Sequence, residues 1–244
     1  MIKEKVAVVG GTGDLGFGLA LRWAKAGVSV LIGSRDETKA QAAAERLKTT
    51  LSTGLLRDLA PGLFVEGLEN VQAADQASIV VLAVPFSAQA AILKTIRSAL
   101  KDAILVDATV PLAAAVGGRA TRLLGVWQGS AAQQARELVP AETPVLAAFH
   151  NVSAEALQDL AAPLDGDVLI CGDDEPAKHA LFPLVELIEG LRPVDAGPLE
   201  MARVVEGITA LLLSLNRRYR VAHSGIRITG LEGSDGASRP DASA

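Results

Sequence analysis

The 244-residue chain is 50% hydrophobic yet only 3% aromatic, so its core must be packed mainly from Ala, Val and Leu. A net charge of −5 argues against a general nucleic-acid binder, and a single cysteine, Cys171, excludes a disulfide framework and any cysteine-based metal centre. Three scattered histidines add no metal site. No signal-like segment precedes the first apolar run, and the longest late one, residues 208–215, is far too short for a bilayer. The expectation is a soluble, cytoplasmic protein.

Residues 5–9 form a short apolar run ending in glycines, the pattern of a buried parallel strand. Residues 15–26 place Leu15, Leu19, Trp23 and Ala26 on one helical face, and Gly27 stops that helix. A second strand is expected over residues 28–32, and a helix over 37–48 capped by Asp36. Residues 49–62 read as a surface loop or short helix. Further strands are expected at Val65, at 78–84 and at 104–107. Strands alternating with helices predict an α/β fold with a doubly wound parallel sheet of the Rossmann type. Residues 117–129 are irregular, a helix follows near 130–138, and 144–149 reads as the last strand of the large domain. Beyond it come a strand at 167–171, a helix at 175–189 and a long helix at 199–221. The expected division is a dinucleotide-binding domain at 1–149, a smaller α/β domain at 150–230 and a disordered tail at 231–244.

The turn Gly11-x-Gly13-x-x-Gly16 lies between a strand and a helix, the context a dinucleotide fingerprint requires. Free N–H groups at the helix start, with the positive end of its dipole, suit a pyrophosphate. About twenty residues on, an NAD site offers a carboxylate to the ribose. Here the chain offers Ser34, Arg35 and, one helical turn later, Lys39. A hydroxyl and two cations suit the 2′-phosphate of NADP, which a carboxylate would repel.

Taken together, GGTGDLGFGLALR with Ser34-Arg35, VLAVPF at 81–86, CGDDEPAK from Cys171 and GLRPVDAGPLEMARVVE from Gly190 resemble the F420-dependent NADP oxidoreductases. The resemblance covers roughly residues 6–228. It implies hydride exchange between NADP and the 5-deazaflavin coenzyme F420. By the same resemblance, NADP contacts fall on Thr12, Gly13, Asp14, Leu15, Ser34, Arg35, Lys39, Val84, Pro85, Val110 and Ala154. The deazaflavin pocket falls between the domains, near His150, Thr209 and Ser224. Position 207 departs from the family: Gly207 stands where a serine would add a pocket hydroxyl. The connection at 49–62 and the tail after Leu231 look like additions.

Hydride transfer between two delocalised rings needs positioning rather than a strong acid or base. In keeping with that, Lys178 is the only lysine after Lys101, and its helix reads as exposed, so no catalytic side chain is expected. Two readings stay open for His150, a pocket wall or a structural histidine. Cys171 reads as an inert core thiol, Asp173-Asp174 as a helix cap and His179 as solvated. Arg217, Arg218, Arg220 and Arg227 are either a cationic rim for the acidic tail of F420 or ordinary surface charge. A homodimer is the default for so long an apolar carboxy-terminal helix. Two other functions remain compatible with the sequence: NADPH-dependent reduction of a flavin or metal chelate, and non-catalytic NADP sensing.

Overall fold

The computed structural model describes residues 5–53 and 63–231. Residues 54–62 of the expected connection, and the tail from residue 232, lie outside them.

Val6–Val9 (β1) carries no polar side chain, as a strand covered on both faces requires. Its side chains alternate between two hydrophobic layers, Val6 and Val8 in one, Ala7 and Val9 in the other. Asp14–Lys25 (α1) follows, and Gly27 turns the chain out of it at φ +86°. Val30–Ser34 (β2) then pairs parallel with β1, Val30 opposite Val6. The strand lies further along than its apolar run suggests, because ladder pairing sets its ends. Ser34 is therefore its last residue. Glu37–Thr53 (α2) is capped by Asp36, whose carboxylate accepts from the Lys39 N–H at 3.3 Å. It runs past Lys48 into the stretch expected as a connection.

Val65–Glu69 (β3), Asn70–Asp75 (α3), Ile79–Leu82 (β4), Phe86–Ile96 (α4) and Ile104–Asp107 (β5) continue the alternation. Ala131–Leu138 (α5) and Val145–Ala147 (β6) lead to residue 150. After it come Ala154–Gln158 (α6), Gly166–Gly172 (β7), Glu175–Glu186 (α7), Leu191–Asp195 (β8) and Ala202–Tyr219 (α8). The strands lie in the order β3-β2-β1-β4-β5-β6-β7-β8. Every neighbouring pair is parallel except β6–β7, which joins Leu146 to Gly172 and Ala147 to Cys171 in antiparallel register. The sheet thus continues through residue 150, and both hydrophobic layers draw on residues from either side of it. Strand β8 has no apolar signature, since Arg192 and Pro193 interrupt it; its parallel pairing with β7 defines it.

Two side chains of α1 fasten the later part of the chain. The Trp23 indole donates to the Leu184 carbonyl of α7 at 2.8 Å and meets Phe149 edge-on at 5.8 Å. Arg22 is buried, and its guanidinium donates to the carbonyls of Ala156 and Leu157 at 2.9 Å, of Ala162 at 3.0 Å, and of Asp159. It thereby satisfies the carboxyl end of α6, whose carbonyls have no intrahelical partner.

Lys178 corrects the sequence-based expectation. It is buried, not exposed, with Nζ 2.7 Å from Asp195 and 2.8 Å from Glu175. Burial works against its charge, but the bonds to Asp195 and Glu175 outweigh that and hold its pKa above the ordinary value. The helix periodicity gives α7 correctly but not which of its polar residues turn inward.

Arg22→Leu keeps an apolar stem but strands the carbonyls of α6. We expect a loss of about 1.5–3 kcal/mol, read as a lower denaturant midpoint at unchanged slope.

Candidate active site

Because β1, β2, β4 and β5 are parallel, their carboxyl ends lie along one edge of the sheet. The order reverses between β1 and β4, so a crevice opens there. Its floor is set by close approach. A Cβ on Gly10 (φ +86°) would lie 2.4 Å from the Ala83 carbonyl oxygen, and one on Gly16 would lie 2.7 Å from the Gly10 oxygen. Neither position admits a side chain, which lets α1 start directly over β1 and beside β4. Gly13, which precedes α1, has only the Gly10 oxygen at 3.4 Å from such a Cβ, and no side chain caps the helix. The first N–H groups of α1 therefore face outward over an exposed Thr12-Gly13-Asp14.

Around this helix start the predicted residues are arranged by strand. Leu15 is half-buried in the first turn. Ser34 closes β2, buried, its Oγ accepting from the Asp36 N–H at 3.2 Å and its own hydrogen left to donate. Arg35 is exposed and bonds to no described residue, while Lys39 lies 3.9 Å from Asp36. Val84 and Pro85 follow β4, and the Val84 side chain covers Gly10. Val110, half-buried, follows β5.

A cavity of about 530 Å3 opens at the same helix end. Asp14, His150, Ala154, Thr209 and Ser224 all line it. Phe149 adopts a left-handed backbone (φ +67°), a costly conformation for a non-glycine residue, and turns the chain so that His150 follows β6 into the wall. Among the described residues, buried His150 finds no hydrogen-bond partner for either ring nitrogen, and the buried Ser224 Oγ finds none either. Burial pushes the His150 pKa down to about 4, so the ring is neutral at pH 7. Its carbonyl accepts from the Thr209 hydroxyl at 2.6 Å, tying the wall to α8.

The remaining predicted position lies elsewhere. Gly207 is not in the cavity wall; a Cβ there would meet Leu123 at 3.4 Å. Cys171 is buried, and burial with nearby acidic groups pushes its thiol up to about 12, far from reactive. Asp174 caps α7 through the Ala177 N–H at 2.8 Å, and Asp173 accepts from Leu199 at 2.9 Å.

Comparison with known proteins now bears on these residues. The family model described as "NADP oxidoreductase coenzyme F420-dependent" matches residues 5–111. The F420-dependent NADP reductase of Methanothermobacter marburgensis is 46% identical over 228 residues, 93% of this chain and 99% of that protein. The chain belongs to the F420-dependent NADP reductases. The Methanocaldococcus jannaschii reductase is 43% identical, over 93% of this chain and 99% of its own. The crystal structure of a candidate F420-dependent NADP reductase from Arthrobacter sp. FB24 superposes with a TM-score of 0.75 at 25% identity, covering 92% of this chain and 99% of that one.

Several parts of this family member's site were not anticipated from its sequence. Asn151, Ser153, Gln158, Leu212 and Asn216 also line the cavity. Leu212 and Asn216 lie three and seven residues after Thr209 on α8, a helical spacing that would have found them. The wall containing Ser224 is a strap pinned by Asp167. That buried carboxylate accepts both Arg192 nitrogens at 2.8 Å and the Ile228 N–H at 2.6 Å, and the Asp167 N–H donates to Ile226 at 2.7 Å. Arg227 also belongs to this clamp, paired with Asp165 and 3.8 Å from Asp167, which removes it from the expected cationic rim. Arg217, Arg218 and Arg220 remain exposed.

A second buried network holds α8 against the sheet. Asp107 accepts from the Thr109 N–H at 2.7 Å, its hydroxyl at 2.6 Å and Gln89 Nε2 at 2.6 Å. Gln89 reaches the Ala131 carbonyl at 2.9 Å, and Glu206 of α8 accepts from the Ala131 and Ala132 N–H groups at 2.9 and 3.0 Å. Burial pushes Glu206 up to about 8 from an ordinary 4.5, although the two N–H bonds oppose the shift, and pushes Asp107 up to about 6. Between pH 4.5 and 8 the folded protein holds the Glu206 proton that the unfolded chain has released, so stability falls as pH rises through this window. Glu206→Gln cannot ionise. Its unfolding free energy, measured from pH 5 to 8, is expected to fall less steeply than that of the wild type.

Proposed function

We propose that the chain exchanges a hydride between NADP(H) and coenzyme F420, with NADP along the β1–β4 crevice and the deazaflavin in the cavity. The observation that carries this reading is their adjacency: Asp14 belongs both to the outward-facing start of α1 and to the cavity wall. A phosphate site and a ring pocket share one edge.

Both groups fit the residues present. The turn, bare of side chains at Gly10, Gly11, Gly13 and Gly16, admits a pyrophosphate, and the uncommitted Arg35 with the Ser34 hydroxyl suits a 2′-phosphate. Lys39 adds charge nearby, though Asp36 competes for it. In the cavity the neutral His150 ring and the Ser224 hydroxyl have no partner among the described residues and can bond the polar edge of a deazaflavin. When bound, the two cofactors supply and accept the hydride within their own rings. The protein binds, orients and excludes water. Val84, Pro85 and Val110 provide an apolar wall beside the crevice, and Ala154 and Thr209 hold the cavity side. Lys178 is ion-paired and is not in the cavity wall, and His150 is neutral at pH 7, so neither is placed to act as an acid. Residues 1–149 thus serve NADP, and 150–230 complete the deazaflavin pocket. We read the enzyme as soluble, cytoplasmic and homodimeric.

The reading is tested by supplying purified protein with NADPH and F420, a free flavin or a ferric chelate in turn. Turnover is expected with F420; turnover with another acceptor alone overturns the assignment. Arg35→Ala is expected to weaken NADPH binding about ten- to a hundredfold, matching the loss of roughly 1.5–3 kcal/mol for a charge-assisted bond, with NADH binding unchanged. His150→Ala is expected to slow turnover by less than the roughly 10²–10⁴-fold that marks loss of an acid or base. Single-turnover rates at saturating cofactors read that directly.

A further inference from the structure

Residues 221–228 form the strap that carries Ser224 into the cavity wall. The chain leaves α8 through Arg220, whose left-handed backbone (φ +55°) turns it out of the helix. Two residues then hold the strap. Asn216, in the last turn of α8, grips its start. The Asn216 carbonyl accepts from the Val221 N–H at 3.1 Å, its side-chain oxygen accepts from the Ser224 N–H at 3.0 Å, and its amide donates to the Ala222 carbonyl at 3.3 Å.

Asp167 grips the other end. Strand β7 pairs with β6 at Cys171 and Gly172, its far end, which leaves the Asp167 N–H for the Ile226 carbonyl at 2.7 Å. The Asp167 carboxylate takes the Ile228 N–H at 2.6 Å. The approach is close: a Cβ on Gly225 would lie 3.1 Å from the Asp165 carbonyl oxygen, and one on Gly166 would lie 3.3 Å from that of Ile226. Between the anchors Ser224 and Ile226 are half-buried, and the rest of the strap is exposed. The Asp167 carbonyl also accepts from Asn151 Nδ2 at 2.6 Å, and Asn151 is part of the cavity wall beside His150. One fully buried residue outside the cavity therefore seats two separate parts of its lining.

We infer that Asp167 is a positioning residue for the acceptor: by seating the strap and Asn151 together, it holds the Ser224 hydroxyl where the deazaflavin ring meets it. The inference rests on the deazaflavin reading of the cavity and adds the residue that shapes its wall. A carboxylate that served only as counter-charge to Arg192 and Arg227 would have the opposite effect on binding. Neutralising it would leave both arginines more positive and would attract the acidic tail of F420. A strap set loose weakens binding instead, because only the molecules with the wall in place bind at full strength.

The test is equilibrium dialysis against F420, against a deazaflavin fragment lacking the phosphate and acidic tail, and against NADPH. The proteins compared are the wild type, Asp167→Asn, Ile228→Pro and the double variant. Ile228→Pro deletes the N–H that the carboxylate accepts and leaves every buried charge in place. Both single variants are expected to weaken F420 and the fragment alike, about tenfold if the strap is seated a tenth of the time, with NADPH binding unchanged. The KM for F420 is expected to rise while that for NADPH does not. Because both changes break the same clamp, the double variant is expected to bind no more weakly than the weaker single one. Tighter F420 binding by Asp167→Asn makes the residue a counter-charge and overturns the proposal. Fragment binding at wild-type strength in Ile228→Pro, or losses that add in full, overturns it as well, while the cavity assignment stands. A wild type that binds neither F420 nor the fragment overturns the cavity assignment and the inference with it.

Discussion

The close contact between Gly10, Gly16 and the end of β4 is the constraint from which the site follows. A methyl group at either glycine would strike a backbone atom, so the chain can place α1 over β1 only because both positions lack one. That placement aims the helix start at the strand-order reversal, where the carboxyl ends of β1 and β4 part. The phosphate chemistry of the crevice is thus a consequence of packing, and the helix dipole adds to it without further side chains. In the proposed reading, selectivity for NADP is then a local matter at Ser34 and Arg35, at the end of β2, with no change to the framework.

The cavity proposed for the second cofactor depends on α1 in another way. Its far side is tied down by Arg22 and Trp23, which reach from α1 to the segments around α6 and α7. The cavity wall at residues 150–158 therefore moves with the helix that begins at the phosphate site. Rigid coupling of this kind suits a reaction whose chemistry is in the cofactors, where a loose wall would cost rate through misalignment. The left-handed Phe149 and the unpartnered His150 fit the same picture: backbone strain and unsatisfied polar atoms are tolerated where a ligand is to be met.

Much of this was legible in the sequence, for physical reasons that also mark where reading stops. Buried parallel strands are continuous apolar runs, so β1, β4 and β5 announce themselves, and the glycine turn is readable because at Gly10 and Gly16 steric exclusion leaves no other residue. Strand β8 was not legible, because its identity lies in pairing with β7 and not in its Arg-Pro composition. Lys178 misled in a similar way: a lysine on an amphipathic helix reads as exposed until Asp195, from a distant strand, supplies its counter-charge. The Asp167 clamp on the strap and the Glu206 cap on α5 are also contacts between distant segments, invisible to local periodicity. Gly207, placed at the pocket by resemblance, lies beside Leu123, a contact that the sequence around it does not announce.

The central claim is that two cofactors meet in one site and pass a hydride directly. It is tested most directly with NADPH carrying deuterium at one or the other face of its reducing carbon. After a single anaerobic turnover with F420, the reduced coenzyme is analysed by mass spectrometry. The account predicts that one of the two labelled forms delivers its deuterium to the deazaflavin ring in full, even in ordinary water. Reduced F420 without label from either form would mean that the hydride passes through an exchanging group, and would contradict a site built only to hold two rings together.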